Sequence, residues 1–418
     1  MSLSPEAWED AGTLLQPPPL PERAGPFRGL PLSSLVASLD AAHTKLAGDG
    51  SASLQQSDLP GLALALLERG GEREQLRSAA DALRRSLVGD GVTFVVNRNL
   101  NTSNHCVLRC HFCAFRRDGD TPGAYRLPLQ ELEGRAAEAQ RVGATELCLQ
   151  AGLDPEAQLG GSHLAFAVDL LLRLRQAAPG IHLHAFSPQE LLFIAERDGL
   201  PLDRVLVELQ AAGLGSVPGT AAEVLSDPVR RLICPEKLSA RAWVAVILQV
   251  HRQRLATTAT LMAGHLESAA DRAAHLLTLV AVQQDAHRRG LPGFSEFVLL
   301  PFVGAAAPAP LRRKVGRDQP DPAAMLALTA QCRLLLGSWF VHHQPSWVKL
   351  TLPVAAEALR WGCDDLGGTL MEEHITTMAG ALGGTRQTPA TLRAAAARLG
   401  RPALQRTTLY GRAETANP

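Results

Sequence analysis

The segment "NRNLNTSNHCVLRCHFCAFRRD", residues 97–118, contains three of the seven cysteines of the chain. Cys106, Cys110 and Cys113 have the spacing C-x3-C-x2-C and lie in a loop rich in Asn and Arg, directly after a predicted strand. Thiolates grouped in this way bind metal ions or iron–sulfur clusters. The segment therefore predicts a thiolate-bound metal centre at the end of the first strand of the main domain.

Two kinds of centre are compatible with three thiolates. A structural zinc site needs a fourth ligand and normally uses paired C-x2-C elements; no second pair occurs here, and His105 and His111 are too close in sequence to complete a tetrahedron without strain. A [4Fe-4S] cluster whose fourth iron stays open to a substrate or cofactor suits three thiolates better. The zinc-binding module remains the alternative. The four other cysteines lie in apolar or helical segments and are predicted to be buried core side chains: Cys148, Cys234, Cys332 and Cys363.

Downstream of residue 90, β-rich segments alternate with helical ones. Eight strands are predicted, at 92–100, 145–150, 181–186, 214–219, 256–262, 295–300, 346–351 and 364–368. Strands that alternate with helices over this length are typical of an α/β fold, a (β/α) TIM-like barrel spanning 91–411. Functional groups of such a barrel lie at the carboxyl ends of the strands.

The barrel is preceded by two predicted units. Residues 1–58 contain the Pro-rich stretch "LLQPPPLPERAGPFRGLP" and are expected to form a partly flexible lead-in, extended over its first 35 residues and helical further on. Residues 59–90 have helical periodicity interrupted at Gly70-Gly71, which predicts a helical cap of two helices. Residues 412–418 are expected to be a short tail.

Charge and composition limit the partners. The chain has 41 basic and 41 acidic residues, with no block of like charge, so neither nucleic acid nor a membrane surface is an expected partner. No run of eighteen apolar residues occurs, and the N-terminus "MSLSPEAWEDAG" is acidic where a signal peptide is basic. We expect an intracellular, cytoplasmic protein, although an organelle address is not excluded by the sequence.

Polar residues cluster after the predicted strands. We predict that five of them bind substrates or move protons at the mouth of the barrel: His184, Ser187, Glu223, His265 and Glu267. Each of these residue types is also common in turns and helix caps, so a structural role is the alternative for every one. Arg98 and Arg116 are candidates for binding a carboxylate, or for simple solvation.

The C-x3-C-x2-C loop after the first strand of a β/α barrel resembles the signature of the radical S-adenosylmethionine (SAM) superfamily. The resemblance implies that Cys106, Cys110 and Cys113 hold a [4Fe-4S] cluster whose open iron binds SAM. It also implies that Phe112 touches the adenine, and that "LQAG", residues 149–152, supports the methionine amino group through Gln150, Ala151 and Gly152.

Further segments narrow the resemblance. Within residues 75–411 the chain is similar to the FO (7,8-didemethyl-8-hydroxy-5-deazariboflavin) synthase family, in its tyrosine-using subunits; the similar segments include "ATELCLQAGLDP", "IHLHAFSPQE", "TTATLMAGHLES", "GFSEFVLLPFVG", "SWVKL", "DDLGGTLMEEHITTMAGA" and "QRTTLYGR". This implies a transferase that joins L-tyrosine to 5-amino-6-(D-ribitylamino)uracil in deazaflavin and coenzyme F420 biosynthesis. It also implies an electron donor and a second, ring-closing radical SAM enzyme as partners. The related aminofutalosine synthase and futalosine-pathway cyclase of menaquinone biosynthesis are the alternative.

The chain departs from the family pattern at several positions. The family's "LQGGLHP" is "LQAGLDP" here, so Ala151 replaces Gly and Asp154 replaces His, and Ala263 stands where an aromatic residue is common. The methyl group of Ala151 is tolerable only if its φ is negative. These departures leave a catalytically inactive, cluster-binding barrel as a further alternative.

Overall fold

The computed structural model describes residues 2–48, 54–119 and 121–413. Ten strands, β1 to β10, occur in chain order at Val92–Val95, Asn97–Leu100, Glu146–Leu149, His182–Ala185, Leu214–Val217, Ala256–Ala263, Phe294–Pro301, His343–Pro345, Asp365–Gly368 and Ala403–Arg406. Eighteen helices, α1 to α18, are described at Pro5–Leu14, Pro21–Arg28, Leu32–Gly48, Leu59–Leu67, Arg73–Val88, Leu129–Arg141, His163–Ala177, Pro188–Arg197, Leu202–Ala212, Asp227–Ile233, Ala240–Arg252, Ala269–Arg288, Ala309–Val315, Pro322–Leu336, Trp347–Leu350, Leu352–Ala358, Ile375–Met378 and Pro389–Ala397.

Strands β2 to β8 form one parallel sheet in sequence order, with helices between most of the strands. Because consecutive parallel neighbours need crossover connections, the helices cover the outside of the curled sheet. The predicted β/α barrel is therefore confirmed. All carboxyl ends of these strands lie at the same mouth, which brings together loops that are far apart in sequence.

The first predicted strand, 92–100, is divided in two. β1 pairs with β10 and β9 in a separate three-stranded sheet, whereas β2 begins the seven-stranded one. Asn97 explains the division: its Oδ1 accepts a hydrogen bond from Leu370 N (2.9 Å), and its main chain exchanges hydrogen bonds with Thr369 Oγ1 (3.0 and 2.7 Å). Side chains thus replace strand pairing at this point. The eighth predicted strand, 364–368, accordingly belongs to the smaller sheet as β9.

The prediction of a strand at 346–351 was wrong. The strand lies just before it, at His343–Pro345, and Trp347–Leu350 forms a helical turn in which Leu350 N donates to Ser346 O (2.9 Å). A short apolar run fits both the helical and the extended period, so its sequence pattern does not separate the two.

The prediction that the first 35 residues are extended was also wrong. α1 and α2 lie within this segment, and α3 begins in it at Leu32. Pro5 and Pro21 stand in the first turn of α1 and α2, where no backbone N–H is needed. α1 buries Ala7 and Ala11 and packs against α11 of the barrel. Residues 49–53 of the lead-in and 414–418 of the predicted tail lie outside the described residues.

The helical cap has the predicted form. α4 and α5 are separated by the segment that contains Gly70 and Gly71. All nine residues of α4 are buried, and its leucines and alanines belong to the same hydrophobic cluster as residues of the barrel strands. Among the described helices, none is both long enough and apolar enough to cross a membrane.

Candidate active site

A cavity of about 410 Å³ lies at the carboxyl ends of the barrel strands, and the three clustered cysteines line it. Its volume is in the range of cavities that enclose small molecules. Residues from almost every strand of the large sheet reach it, together with residues of β10 and of the segment 370–379. A cavity built from so many separate segments can hold more than one ligand at fixed relative positions.

Cys106, Cys110 and Cys113 are half-buried free thiols. Burial raises the pKa of Cys110 to about 12 and also raises the pKa of Cys106, so these thiols carry protons until a positively charged centre displaces them. In the described part of the chain, no three His, Cys, Asp or Glu side chains are arranged to hold a single metal ion. A [4Fe-4S] cluster binds each thiolate through a different iron, and three half-buried thiols around one cavity fit such a group.

The cysteine loop is held against the loop that follows β3. Val107 N donates to Leu153 O (3.1 Å), and Gly152 N donates to Ser103 O (2.8 Å). A Cβ atom on Gly152 would lie 2.0 Å from the main-chain oxygen of His105, which is far inside van der Waals contact. Glycine at this position therefore permits the two loops to approach each other.

Asp154, where the family pattern has His, ties the same two loops together. Its carboxylate accepts hydrogen bonds from Arg126 and from Ser103 Oγ (2.7 Å). Burial acts to raise the pKa of Asp154, but the hydrogen bonds from Arg126 and Ser103 outweigh burial and lower the pKa below its ordinary value. The substituted carboxylate is thus a fully partnered part of the cluster loop's support.

Ala151 does not adopt a positive φ, so its methyl group introduces no backbone strain. Its N–H donates to Glu190 Oε1 (3.1 Å), and its side chain, like those of Gln150 and Phe112, lines the cavity. The replacement of glycine at this position is therefore sterically compatible with the loop.

Of the five predicted catalytic residues, His184, Ser187 and Glu223 line the cavity. His184 Nδ1 shares a hydrogen bond of 2.7 Å with Ser216 Oγ, and burial lowers its pKa to about 4, so its ring is neutral near pH 7. Ser187 caps α8 and its hydroxyl donates to Glu190 Oε2 (2.6 Å).

Glu223 forms a buried ion pair with Lys237, whose Nζ lies 2.6 Å from Oε1. Burial acts to raise the pKa of Glu223, and the charge of Lys237 more than compensates, so the pKa is lowered. The backbone of Glu223 has a φ of 47°, a strained conformation for a residue with a side chain. Lys237 also lies over the ring of Phe112, 5.4 Å from its centroid, on the cysteine side of the cavity.

His265 and Glu267 do not line the cavity. The Glu267 carboxylate accepts hydrogen bonds from the main-chain N–H groups of Gly264 (2.7 Å) and His265 (2.9 Å). His265 Nε2 lies 3.0 Å from Met262 O. Both residues shape the turn between β6 and α12. This is the structural role that their sequence left open as the alternative to catalysis.

Neither of the two arginines predicted to bind a carboxylate, Arg98 and Arg116, can do so without losing a partner. Arg98 pairs with Glu138 (2.7 Å) and Glu372 (2.6 Å) and does not line the cavity. Arg116 lines it, donates to Cys106 O (3.1 Å) and pairs with Asp118.

Several charged residues that line the cavity were not predicted: Glu146, Lys237, Glu296, Lys349 and Arg406. Burial raises the pKa of Glu296 to about 7, which makes this carboxyl group able to gain or lose a proton near neutral pH. Arg406 pairs with the buried Asp365. The signal for Glu296 was present in the sequence, as a single carboxylate within an otherwise apolar strand.

Comparison with known proteins adds to this geometry. The Radical SAM superfamily profile matches residues 100–279. A Synechococcus elongatus protein named 5-amino-6-(D-ribitylamino)uracil--L-tyrosine 4-hydroxyphenyl transferase is 55% identical over 81% of this chain and 88% of its own length. A protein of the same name from Gloeobacter violaceus is 56% identical over 81% of this chain and 86% of its own length. Another from Microcystis aeruginosa is 53% identical over 83% of this chain and 93% of its own length.

Two solved structures share the fold. Methylornithine synthase superposes with a TM-score of 0.63 at 15% identity, covering 86% of this chain and 96% of that chain. The FeFe-hydrogenase maturase HydG of Carboxydothermus hydrogenoformans superposes with a TM-score of 0.65 at 13% identity, covering 97% of this chain and 87% of that chain. At these identities the likeness concerns the fold alone.

Proposed function

The chain belongs to the family of 5-amino-6-(D-ribitylamino)uracil--L-tyrosine 4-hydroxyphenyl transferases within the radical SAM superfamily, and from this membership we propose that it transfers the 4-hydroxybenzyl group of L-tyrosine to C5 of 5-amino-6-(D-ribitylamino)uracil. The observation that carries the proposal is identity above half of all aligned positions along most of the length of these relatives. The cysteine-lined cavity at the barrel mouth supports it.

The reaction breaks the Cα–Cβ bond of tyrosine and forms a carbon–carbon bond at C5 of the pyrimidine. L-tyrosine, 5-amino-6-(D-ribitylamino)uracil and SAM give 5-amino-5-(4-hydroxybenzyl)-6-(D-ribitylimino)-5,6-dihydrouracil, 2-iminoacetate, methionine, 5′-deoxyadenosine and one proton. Electrons balance over the whole turnover, so the electron donor starts the reaction without being consumed in it. The product lacks the closed third ring of a deazaflavin, and the chain contains one C-x3-C-x2-C triad. A second radical SAM enzyme is the proposed partner for ring closure.

Cys106, Cys110 and Cys113 would hold the [4Fe-4S] cluster, and Phe112 with Gln150, Ala151 and Gly152 would lie beside SAM. All of these residues line the same cavity, which supports this assignment. When bound, the cluster and SAM supply a 5′-deoxyadenosyl radical that abstracts hydrogen from a substrate. The contribution of the chain is to position both substrates and to keep water out of the cavity.

Three residues of this chain are suited to those tasks. Glu190 receives hydrogen bonds from Ser187 Oγ (2.6 Å) and Ala151 N (3.1 Å), so the cap of α8 fixes the loop that we assign to SAM. The carboxyl group of Glu296, with its pKa of about 7, is suited to accept and return the protons that leave the substrate nitrogen and oxygen atoms. His184, which is neutral, can donate or accept a hydrogen bond to a polar substrate without adding charge.

Anaerobic reconstitution tests the proposal. The protein, loaded with iron and sulfide, is incubated with SAM, dithionite, ring-labelled L-tyrosine and 5-amino-6-(D-ribitylamino)uracil, and the products are read by mass spectrometry. We expect 5′-deoxyadenosine and an adduct that carries the tyrosine ring label, in equal amounts.

Reactions without tyrosine and without the pyrimidine serve as controls, together with a Cys113→Ala variant that should give neither product. Deoxyadenosine without the labelled adduct would overturn the proposed substrates in favour of a relative such as the futalosine-pathway enzymes. Absence of both products from protein with an intact cluster would indicate the inactive barrel.

A further inference from the structure

Four cationic side chains line the cavity in the described part of the chain: Arg116, Lys237, Lys349 and Arg406. Three of them have carboxylate partners, in the pairs Arg116–Asp118, Lys237–Glu223 and Arg406–Asp365. The side chain of Lys349 makes neither a hydrogen bond nor an ion pair with any described residue. A half-buried ammonium group without a counter-ion is costly, so this position has room for an anion from outside the chain.

The carboxylates nearest to Lys349 are already engaged. Glu373 accepts hydrogen bonds from the N–H groups of Thr376 (2.8 Å) and Thr377 (3.2 Å) and so caps α17. Glu223 is paired with Lys237. Burial lowers the pKa of Lys349, and the charges of Glu373 and Glu223 oppose this without contacting its Nζ. A ligand anion at Nζ would therefore strengthen the charged form.

Hydrogen bonds of its two preceding neighbours hold the helical turn that carries Lys349 in the cavity wall. Trp347 Nε1 donates to Gly368 O (3.0 Å), and Gly383 N donates to Val348 O (3.0 Å). Thr351, which ends the turn, has a φ of 72°, an unfavourable conformation for a β-branched residue. Strain of this kind persists only where the surrounding structure enforces it, and it is common at binding sites.

We propose that Lys349 Nζ binds the α-carboxylate of L-tyrosine, an inference that rests on the function proposed above. The pyrimidine substrate has a ribityl chain and no carboxylate, which leaves tyrosine and SAM as the carboxylate-bearing ligands. Lys237 is the lysine on the cysteine side, where it interacts with Cys110 and lies over Phe112. The charges that act on Lys349 are those of Glu373 and Glu223, and no thiol is among them, so we assign Lys349 rather than Lys237 to the amino-acid substrate.

Such an ion pair has a chemical consequence. The bond that breaks in tyrosine, Cα–Cβ, is next to the carbon that carries the carboxylate. A carboxylate held on a rigid turn fixes Cα relative to the barrel, and accurate placement of the reacting atoms is a major part of catalysis. Lys349 is in this sense a substrate-binding residue rather than an acid or base.

The test compares two ligands on cluster-loaded protein with SAM bound: L-tyrosine and L-tyrosinamide, which lacks the carboxylate charge. Wild-type protein should bind tyrosine about 10- to 100-fold more tightly than the amide by calorimetry, the loss typical of a buried charged hydrogen bond. Lys349→Met, which keeps the length of the side chain, should bind both ligands with the same weak affinity. Lys349→Arg should restore part of the preference for tyrosine.

Lys314→Met, at an exposed position on α13, is the matched control and should retain the full preference. Iron content and thermal unfolding of Lys349→Met should equal those of wild type, and Lys349→Gln provides a second variant without the charge if methionine is not tolerated. A preference for tyrosine that survives the loss of the charge in Lys349→Met or Lys349→Gln, or a loss of SAM affinity in place of tyrosine affinity, overturns the assignment of Lys349 alone. Wild-type protein that binds no tyrosine overturns the proposed function as well.

Discussion

Arg126 holds Asp154 through two parallel hydrogen bonds, from Nε to Oδ2 (2.7 Å) and from Nη2 to Oδ1 (2.8 Å). Asp154 is 3% exposed, and its Oδ2 also accepts from Ser103 Oγ. This pair connects Arg126, which lies a few residues after the cysteine segment, with the loop after β3. A carboxylate at this position, in place of the histidine of the family pattern, thus has a defined mechanical role.

Asp154→Asn should destabilise the protein by about 2 kcal/mol, because Arg126 loses its charged acceptor while one side of the pair stays buried. Urea unfolding under anaerobic conditions measures the change, and iron per chain should fall with it. Glu208→Gln, in the exposed pair with Arg204, is the control and should cost less than about 0.5 kcal/mol. Equal effects of the two substitutions would show that the Asp154 pair is merely a surface contact.

Cys110→Ala should remove the iron–sulfur cluster and abolish deoxyadenosine formation while leaving the fold intact, because the thiol is half-buried at the cavity and not in the core. Iron and acid-labile sulfide analysis, with circular dichroism for the fold, measures both parts. Cys234→Ala is the matched control, since Cys234 lies next to the cysteine loop but does not line the cavity. Retention of the cluster by the first variant, or its loss from the second, would refute the assignment of the three ligands.

Gly152→Ala should cost about 2 kcal/mol or more and reduce cluster content, because the new methyl group would lie 2.0 Å from His105 O, a main-chain atom that cannot rotate away. Ala151→Gly should change stability by less than about 1 kcal/mol, because Ala151 is unstrained. Denaturant unfolding and iron analysis of the two variants measure the contrast. A harmless Gly152→Ala would mean that the two loops are not in close contact in solution.

Glu296 should make the protein less stable as pH rises from its ordinary pKa of 4.5 to about 7. In this window the folded protein keeps a proton that the unfolded chain releases, so the free energy of unfolding falls with increasing pH, by about 3 kcal/mol in total. Glu296→Gln removes the titrating group. The stability of the variant relative to wild type should therefore be higher at about pH 8 than at about pH 5, whereas exposed Glu9→Gln should show no such change. A pH-independent difference for Glu296→Gln would contradict the buried carboxyl assignment.

His251 and His275 should make the protein less stable in acid. Burial lowers the pKa of each to about 3, so below about pH 6.5 the unfolded chain takes up protons that the folded chain excludes. The free energy of unfolding should fall with decreasing pH by about 1.4 kcal/mol per pH unit for each histidine. Equilibrium unfolding between about pH 4 and pH 7 should show a shallower slope for His251→Gln and for His275→Gln. The exposed His374→Gln should keep the wild-type slope, and an unchanged slope in the two core variants would disprove the effect.

The cysteine cluster and the barrel were predictable because their signals are local. Three cysteines within eight residues are recognisable by their spacing alone, and the alternation of strands and helices is visible along the chain. The "LQAG" segment was identified by its resemblance to the family pattern, and its assignment to SAM stays a prediction. Its compatibility with Ala151 could not be predicted, because a backbone φ depends on the contacts of the folded loop.

The polar residues after the strands were harder to assign. His184 and Glu223 line the cavity, whereas His265 and Glu267 shape a turn. His184 lies near the end of β4 and the other three residues follow a strand, and each group contains one His and one Glu, so residue type and position near a strand end do not separate the two groups. Which way each side chain points depends on the register of its strand and on the turn that follows.

The sequence by itself determined where the three cysteines cluster, which fold carries them and which family the chain resembles, because each of these depends on spacing or periodicity along the chain. Only the tertiary structure decided which charged residues face the cavity and which of them are already paired. Lys349 and Glu296 lie in segments that are otherwise apolar, and their environment is made by residues distant in sequence. Charge pairing and burial depend on distances across the barrel, and those distances exist only after the strands have closed around the cavity.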